Sequence, residues 1–362
     1  MKKCLKELWR RDIGDFMNGK GFRFGSRTDD VNREVMKERA SDSYSSQSDY
    51  NSQRPDKDDD KMYGVILGIG NEIYTWVPQP DNNFQTNTVK IGEFENSITS
   101  MCVHDYDVYY STHCGPSASD HVVKRLLGNA GSLSDSFISE MYSYEDKLYG
   151  LRNDGIYDVF SERHIDGKER ATSMCVAGKH IYYGDSGGVC CLKFDGNSMK
   201  IIKTFKIYME KCDAIASAEK SDGTHIFVSD GEVVKDFRLL TGTYSLRDSF
   251  DIEGVEKIHY HDGVLYGAVR NSVYNISEKK LSAIFGRASN FLSFNEHLFY
   301  SSGKTILSIG DRRPKISRIS KRILDADKNV TGIVAVNKYL FDKITALAVR
   351  TTELSKGGLI DG

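Results

Sequence analysis

The chain has 362 residues, 39% of them hydrophobic and 11% aromatic, which is enough to bury a sizeable core and too varied for a low-complexity polymer. Its 49 Lys and Arg face 51 Asp and Glu, a formal charge of −2, so the basic excess of a dedicated nucleic-acid or polybasic membrane binder is missing. The longest apolar runs, such as Val65-Ile66-Leu67 and Leu347-Ala348-Val349, fall far short of the roughly 20 residues that cross a bilayer.

At the start of the chain Leu5, Leu8, Trp9, Ile13 and Phe16 recur at helical spacing, which predicts a short amphipathic helix over residues 1–17 with these five as candidate partner-binding residues. Its basic and acidic residues leave only +2, too little to hold it on a membrane by charge. Glu7 and Arg10-Arg11 interrupt the apolar residues before the core of a secretory leader can form. Residues 18–61 follow as a linker expected to be disordered. From Ser41 to Lys61 aliphatic side chains almost vanish, and too little apolar surface remains to offset chain entropy. The seven cysteines are odd in number and lack a CxxC pair, so neither a disulfide framework nor a zinc ribbon is indicated, and a reduced, cytoplasmic setting is expected.

From residue 62 the sequence repeats. An apolar residue is followed by an aromatic one at Met62-Tyr63, Val108-Tyr109, Leu148-Tyr149, Ile181-Tyr182, Ile226-Phe227, Leu265-Tyr266, Leu298-Phe299 and Leu340-Phe341, at steps of 46, 40, 33, 45, 39, 33 and 42 residues. Most pairs are preceded by a short apolar strand: 98–103, 138–142, 171–176, 214–218, 255–260, 288–294 and 330–336. Turns such as Glu145-Asp146-Lys147, Ser221-Asp222-Gly223, His261-Asp262-Gly263 and Asn295-Glu296-His297 join the two, with Gly, Asp or Asn where a hairpin needs positive φ. A third strand follows in several units, as at 156–160, 189–192 and 306–309, so each unit reads as an antiparallel meander.

Tandem meanders of about 40 residues resemble the β-propeller superfamily, and residues 62–350 are similar to WD40 proteins in repeat length while lacking their Trp-Asp signature. The resemblance implies an all-β fold of blades set around an axis. The first unit lacks an innermost strand and residues 330–336 supply an unpartnered one, so joining them closes seven blades. The alternative is eight, with Tyr339-Leu340-Phe341 opening another blade; Leu340, Ile344 and Leu347 also fit one face of a closing helix. Residues 351–362 are left as a C-terminal tail.

The recurring aromatics are read as packing between blades, and Cys102 and Cys175, which occupy equivalent places, as small buried apolar residues. The long turn after Tyr110 holds His113, Cys114, Asp120 and His121, which are zinc-ligand types at a spacing that matches no established module, with His104 and Asp105 in the turn before. No metal is expected there. His259 and His261 alternate along a strand and should face one side, with Tyr260 on the other. Glu140, Lys257 and Asn290 fall near the inner strands where other units carry Ser100, Ser173 or Ala214. Short catalytic motifs are missing, and no cofactor is implied. The sequence therefore reads as a non-catalytic interaction platform for a protein partner, the alternative being a propeller hydrolase or lyase acting on a small molecule or glycan in the central channel.

Overall fold

The computed structural model of the protein describes residues 61–357 apart from 79–87, 114–120, 129–132, 135–137, 167–170, 179, 196–199, 284–285 and 310–320, all within the unit Asp59–Gly362. The predicted helix at residues 1–17 and all of the linker at 18–61 except Lys61 lie outside the described residues. What is described is all-β apart from one terminal helix, and its strands form seven separate sheets.

Blade 1 comprises Met62–Ile69, Glu72–Trp76 and Val89–Glu93, and blade 2 comprises Ser97–His104, Asp107–His113 and His121–Arg125. Blade 3 is Glu140–Tyr144, Lys147–Arg152, Gly155–Asp158 and Arg163–Asp166, and blade 4 is Met174–Ala177, His180–Asp185, Gly188–Asp195 and Lys200–Tyr208. Blade 5 is Ala214–Lys220, Gly223–Ser229, Val233–Leu240 and Thr243–Asp251; blade 6 is Val255–His261, Val264–Val269, Ser272–Asn275 and Lys280–Ala283. Blade 7 is Asn290–Phe294, His297–Ser302, Thr305–Ile309 and Lys321–Asp325. The next strand, Val330–Asn337, leaves blade 7 and pairs antiparallel with Met62–Ile69 as the innermost strand of blade 1. Seven blades therefore close, with the seam inside blade 1. Each blade remains an open sheet whose outermost strand is an edge, and the ring is closed by packing between blades and by the shared blade 1.

The hairpins follow from turn chemistry. His261 pairs with Val264 across Asp262 (φ 47°) and Gly263 (φ 81°), a two-residue turn with both central residues at positive φ. Glu145 and Asn295 adopt positive φ in their turns as well. In blade 2 the third strand continues to a single bridge between Val123 and Ser134, so that the sheet has three full strands among the described residues.

The core is not one mass but seven apolar clusters, one in each gap between neighbouring blades. Tyr109, Tyr149, Tyr182, Phe227, Tyr266 and Phe299 are buried and each packs against the following blade, as their recurrence implies. Two of the eight aromatics behave differently. Tyr63 is 39% exposed, because the ladder slips between Met62 and Gly64 and leaves it outside regular pairing. Phe341 belongs to a helix, Lys338–Gly357, and not to an eighth blade. The Asn337 side chain accepts from the backbone N–H of Leu340 at 2.9 Å, the hydrogen bond of a helix N-cap. Leu340, Phe341 and Ile344 then bury one face against blades 1 and 2, and Phe341 lies so close over Gly64 that any β-carbon there would collide with its ring.

Candidate functional site

The side chains Ser97, Glu140, Lys257, Asn290 and Thr331, each at or near the start of an inner strand, line one cavity of about 490 Å³. These five inner strands therefore begin at the same mouth of the propeller. The Met101 side chain of blade 2 packs over the closing strand: a β-carbon on Gly332 would lie 2.6 Å from its Cγ, so the glycine leaves the space that this side chain fills.

The charged groups of the cavity are Glu140 of blade 3 and Lys257 of blade 6, which form an ion pair between blades that are not neighbours, with side-chain exposures of 19% and 41%. The Tyr142 hydroxyl donates to the other Glu140 oxygen at 3.2 Å, and burial beside that carboxylate holds the phenol well above its usual range, so it stays a donor. On the adjoining wall Asn290 Nδ2 donates to Ser301 Oγ at 3.1 Å and approaches the Thr331 carbonyl at 3.5 Å. The mouth thus presents a neutralised carboxylate and ammonium among hydroxyls, an amide and backbone groups, a surface suited to hydrogen-bond recognition of a polar group.

Of the residues singled out by sequence, Glu140, Lys257, Asn290 and Ser100 come together in this cavity. Ser173 instead accepts from the backbone N–H of Ile215 at 3.4 Å, and Ala214 is buried between blades. Tyr142 and Thr331 were not anticipated, since Tyr142 reads as one more strand aromatic and Thr331 becomes an inner-strand neighbour of Asn290 only through the closure. Burial pushes the Cys102 thiol up to about 12 and the Cys175 thiol higher still, so both are inert apolar fillers.

His113 ends its strand, exposed, and its backbone pairs with that of His121; Cys114 and Asp120 lie outside the described residues, as do Leu5, Leu8, Trp9, Ile13 and Phe16. His104 is buried with Nδ1 2.8 Å from Ser143 Oγ, and burial lowers its pKa below the usual range. His259 and His261 do face one side: His259 Nε2 lies 2.7 Å and His261 Nδ1 3.0 Å from Ser293 Oγ. Tyr260 points the other way and stacks on Phe227 at 5.7 Å.

Among the described residues no helix is long and apolar enough to cross a membrane. No protein-family profile matches the chain, and no curated protein matches its sequence. Solved structures do match it. A candidate 6-phosphogluconolactonase of Bacteroides fragilis is 14% identical with a TM-score of 0.56, over 78% of this chain and 100% of its own. A second candidate 6-phosphogluconolactonase, of Bacteroides uniformis, is 11% identical with a TM-score of 0.52, over 76% and 100%. A protein of Lactobacillus plantarum is 10% identical with a TM-score of 0.55, over 76% and 100%. At such identities the likeness is one of fold.

Proposed function

We propose that the protein is a non-catalytic interaction platform, a propeller whose channel mouth receives a polar group of a protein partner. The observation that carries this reading is the Glu140–Lys257 pair, in which the acid and base of the cavity are bonded to each other and ringed by hydrogen-bonding groups. Bonded groups of opposite sign favour recognition of a neutral or zwitterionic partner group over proton transfer to a substrate. Cys102, Cys175 and Cys212 carry free thiols, which supports a reducing compartment such as the cytoplasm.

Because the pair is partly exposed, Lys257→Met and Glu140→Gln should each change stability by less than about 1 kcal/mol. Partner capture by immobilised protein should nonetheless fall at least about tenfold, roughly 1.4 kcal/mol of binding. Unchanged capture by both variants would move the binding surface away from the channel.

A second reading takes its support from the two candidate 6-phosphogluconolactonases of similar fold and from a carboxylate held in a cavity: a hydrolase acting on a small molecule in the channel. Incubation of purified protein with 6-phosphogluconolactone separates the two. Hydrolysis that is lost in Glu140→Gln would replace the first reading with the second.

Residues 1–61 serve the partner and not the disc. All seven inner strands come from residues 97–337, so the ring closes without the N-terminal segment. Removing residues 1–61 should leave the Tm within a few degrees while weakening capture through Leu5, Leu8, Trp9, Ile13 and Phe16. Calorimetry and capture on both lengths check this, and a truncated chain that fails to fold would make the segment part of a blade.

A further inference from the structure

His259 and His261 project from one face of the inner strand of blade 6, two residues apart, so their rings sit side by side as the strand period requires. Their nitrogens converge. His259 Nε2 and His261 Nδ1 lie 2.7 and 3.0 Å from a single atom, Ser293 Oγ on the neighbouring inner strand of blade 7. That hydroxyl has one proton to give, so it donates to one imidazole while accepting N–H from the other, and it occupies the point at which both rings aim.

The rings are held in place. His259 stacks on Phe291 with centroids 5.6 Å apart and planes 16° apart, and Phe291 packs in turn on Tyr300 at 6.2 Å. Lys220 lies on the opposite face of the strand, 4.8 Å over Phe227 and 6.0 Å over Tyr260. His261 is the last residue of its strand, and the exposed turn Asp262-Gly263 that follows opens the cluster to water. Lys257, bonded to Glu140, stands on the same face of the strand two residues before His259, about 7 Å, and four before His261, about 13 Å, so the cluster lies deeper along the strand than the Glu140–Lys257 pair.

We propose that His259 and His261 form a two-histidine chelate for a divalent transition-metal ion, zinc being the reference case, with water completing its coordination. Zinc bonds imidazole nitrogen at about 2.0–2.1 Å. Each nitrogen already stands within about 1 Å of that distance from the point that Ser293 Oγ fills. Rotation of the serine about χ1 to another staggered well vacates that point, and slight closure of the rings brings both nitrogens into bonding range. Two imidazoles select zinc, nickel or copper over magnesium or calcium, which prefer all-oxygen sites. The open positions held by water make the ion exchangeable.

The test is calorimetric titration of zinc chloride into the untagged, full-length protein in chelator-stripped buffer. The expected result is one zinc per chain, no competition by excess magnesium, and a zinc-dependent rise in Tm, as for any ligand that binds only the folded state. His261→Ala and, separately, His259→Gln should each weaken binding by at least about tenfold, since loss of even supporting groups around a metal has effects of that order. Each should abolish the Tm rise, with circular dichroism showing the variant folded. The double change His113→Ala with His121→Ala should leave zinc affinity unaltered. The proposal is overturned if the protein takes up no zinc, if magnesium displaces it, if both blade 6 variants bind as the wild type does, or if the His113 and His121 change removes binding instead.

Discussion

A chain ending at residue 329 is expected not to fold. Val330–Asn337 is the inner strand of blade 1, paired with Met62–Ile69 from Val330 opposite Ile69 to Asn337 opposite Met62. Its loss, with the helix behind it, removes the buried side chains of Val330, Ile333, Val336, Leu340, Phe341 and Ile344. At roughly 1.5–3 kcal/mol for each buried apolar side chain, the loss matches or exceeds the 5–15 kcal/mol by which whole domains are ordinarily stable. The damage is also topological. Two core clusters, in the gaps between blades 7 and 1 and between blades 1 and 2, would each lose one wall, and Met62–Ile69 would become a bare edge rich in Val, Ile and Leu. A chain ending at residue 337 keeps the closing strand and loses only the helix, so it should fold with a lowered Tm. Far-UV circular dichroism and size-exclusion chromatography on the two truncations check this. Monomeric, cooperatively unfolding protein from the 329 truncation would mean that the ring does not depend on its seam.

The same seam explains what was and was not legible in the sequence. Repetition of Leu148-Tyr149, Ile181-Tyr182 and Leu265-Tyr266 is readable because each gap between blades poses the same packing problem and is filled the same way. The glycine that directly follows two of these pairs, Gly150 and Gly267, answers a second demand: a β-carbon there would strike Ile138 or Ile276. That signal stands in the sequence beside the aromatic and extends the repeat. Tyr63 departs from the pattern because a local slip in register has no signature in composition. Leu340-Phe341 fits the repeat by residue type, but Asn337 caps a helix there, and the competing helical stripe of Leu340 and Ile344 is the one realised. The channel site was half legible. Position along an inner strand marked Glu140, Lys257 and Asn290, whereas the meeting of Glu140 with Lys257 depends on the radius of the ring, which no local pattern encodes.

Tyr182→Ala is expected to cost about 3–5 kcal/mol, the range for emptying a core aromatic site that cannot collapse. Tyr182 is 1% exposed and fills the gap between blades 4 and 5 among Val189 and Cys191 of its own blade and Ile226 and Val228 of the next. The walls of that gap are sheets held by their own ladders, from Met174 opposite Tyr183 on one side to Ile226 opposite Phe237 on the other, so neither side can close over the void without breaking backbone pairing. Most of the loss should belong to the ring. Tyr182→Phe, which removes the hydroxyl alone, should cost no more than about 1.5 kcal/mol. Tyr63→Ala provides the contrast within the same repeat: Tyr63 is 39% exposed, so the change should cost less than about 1 kcal/mol. Denaturant titration reads all three as midpoint shifts at constant slope. A Tyr182→Ala cost below about 1 kcal/mol would place that ring in a gap loose enough to collapse, and the packing between these blades would then not be what holds the propeller together.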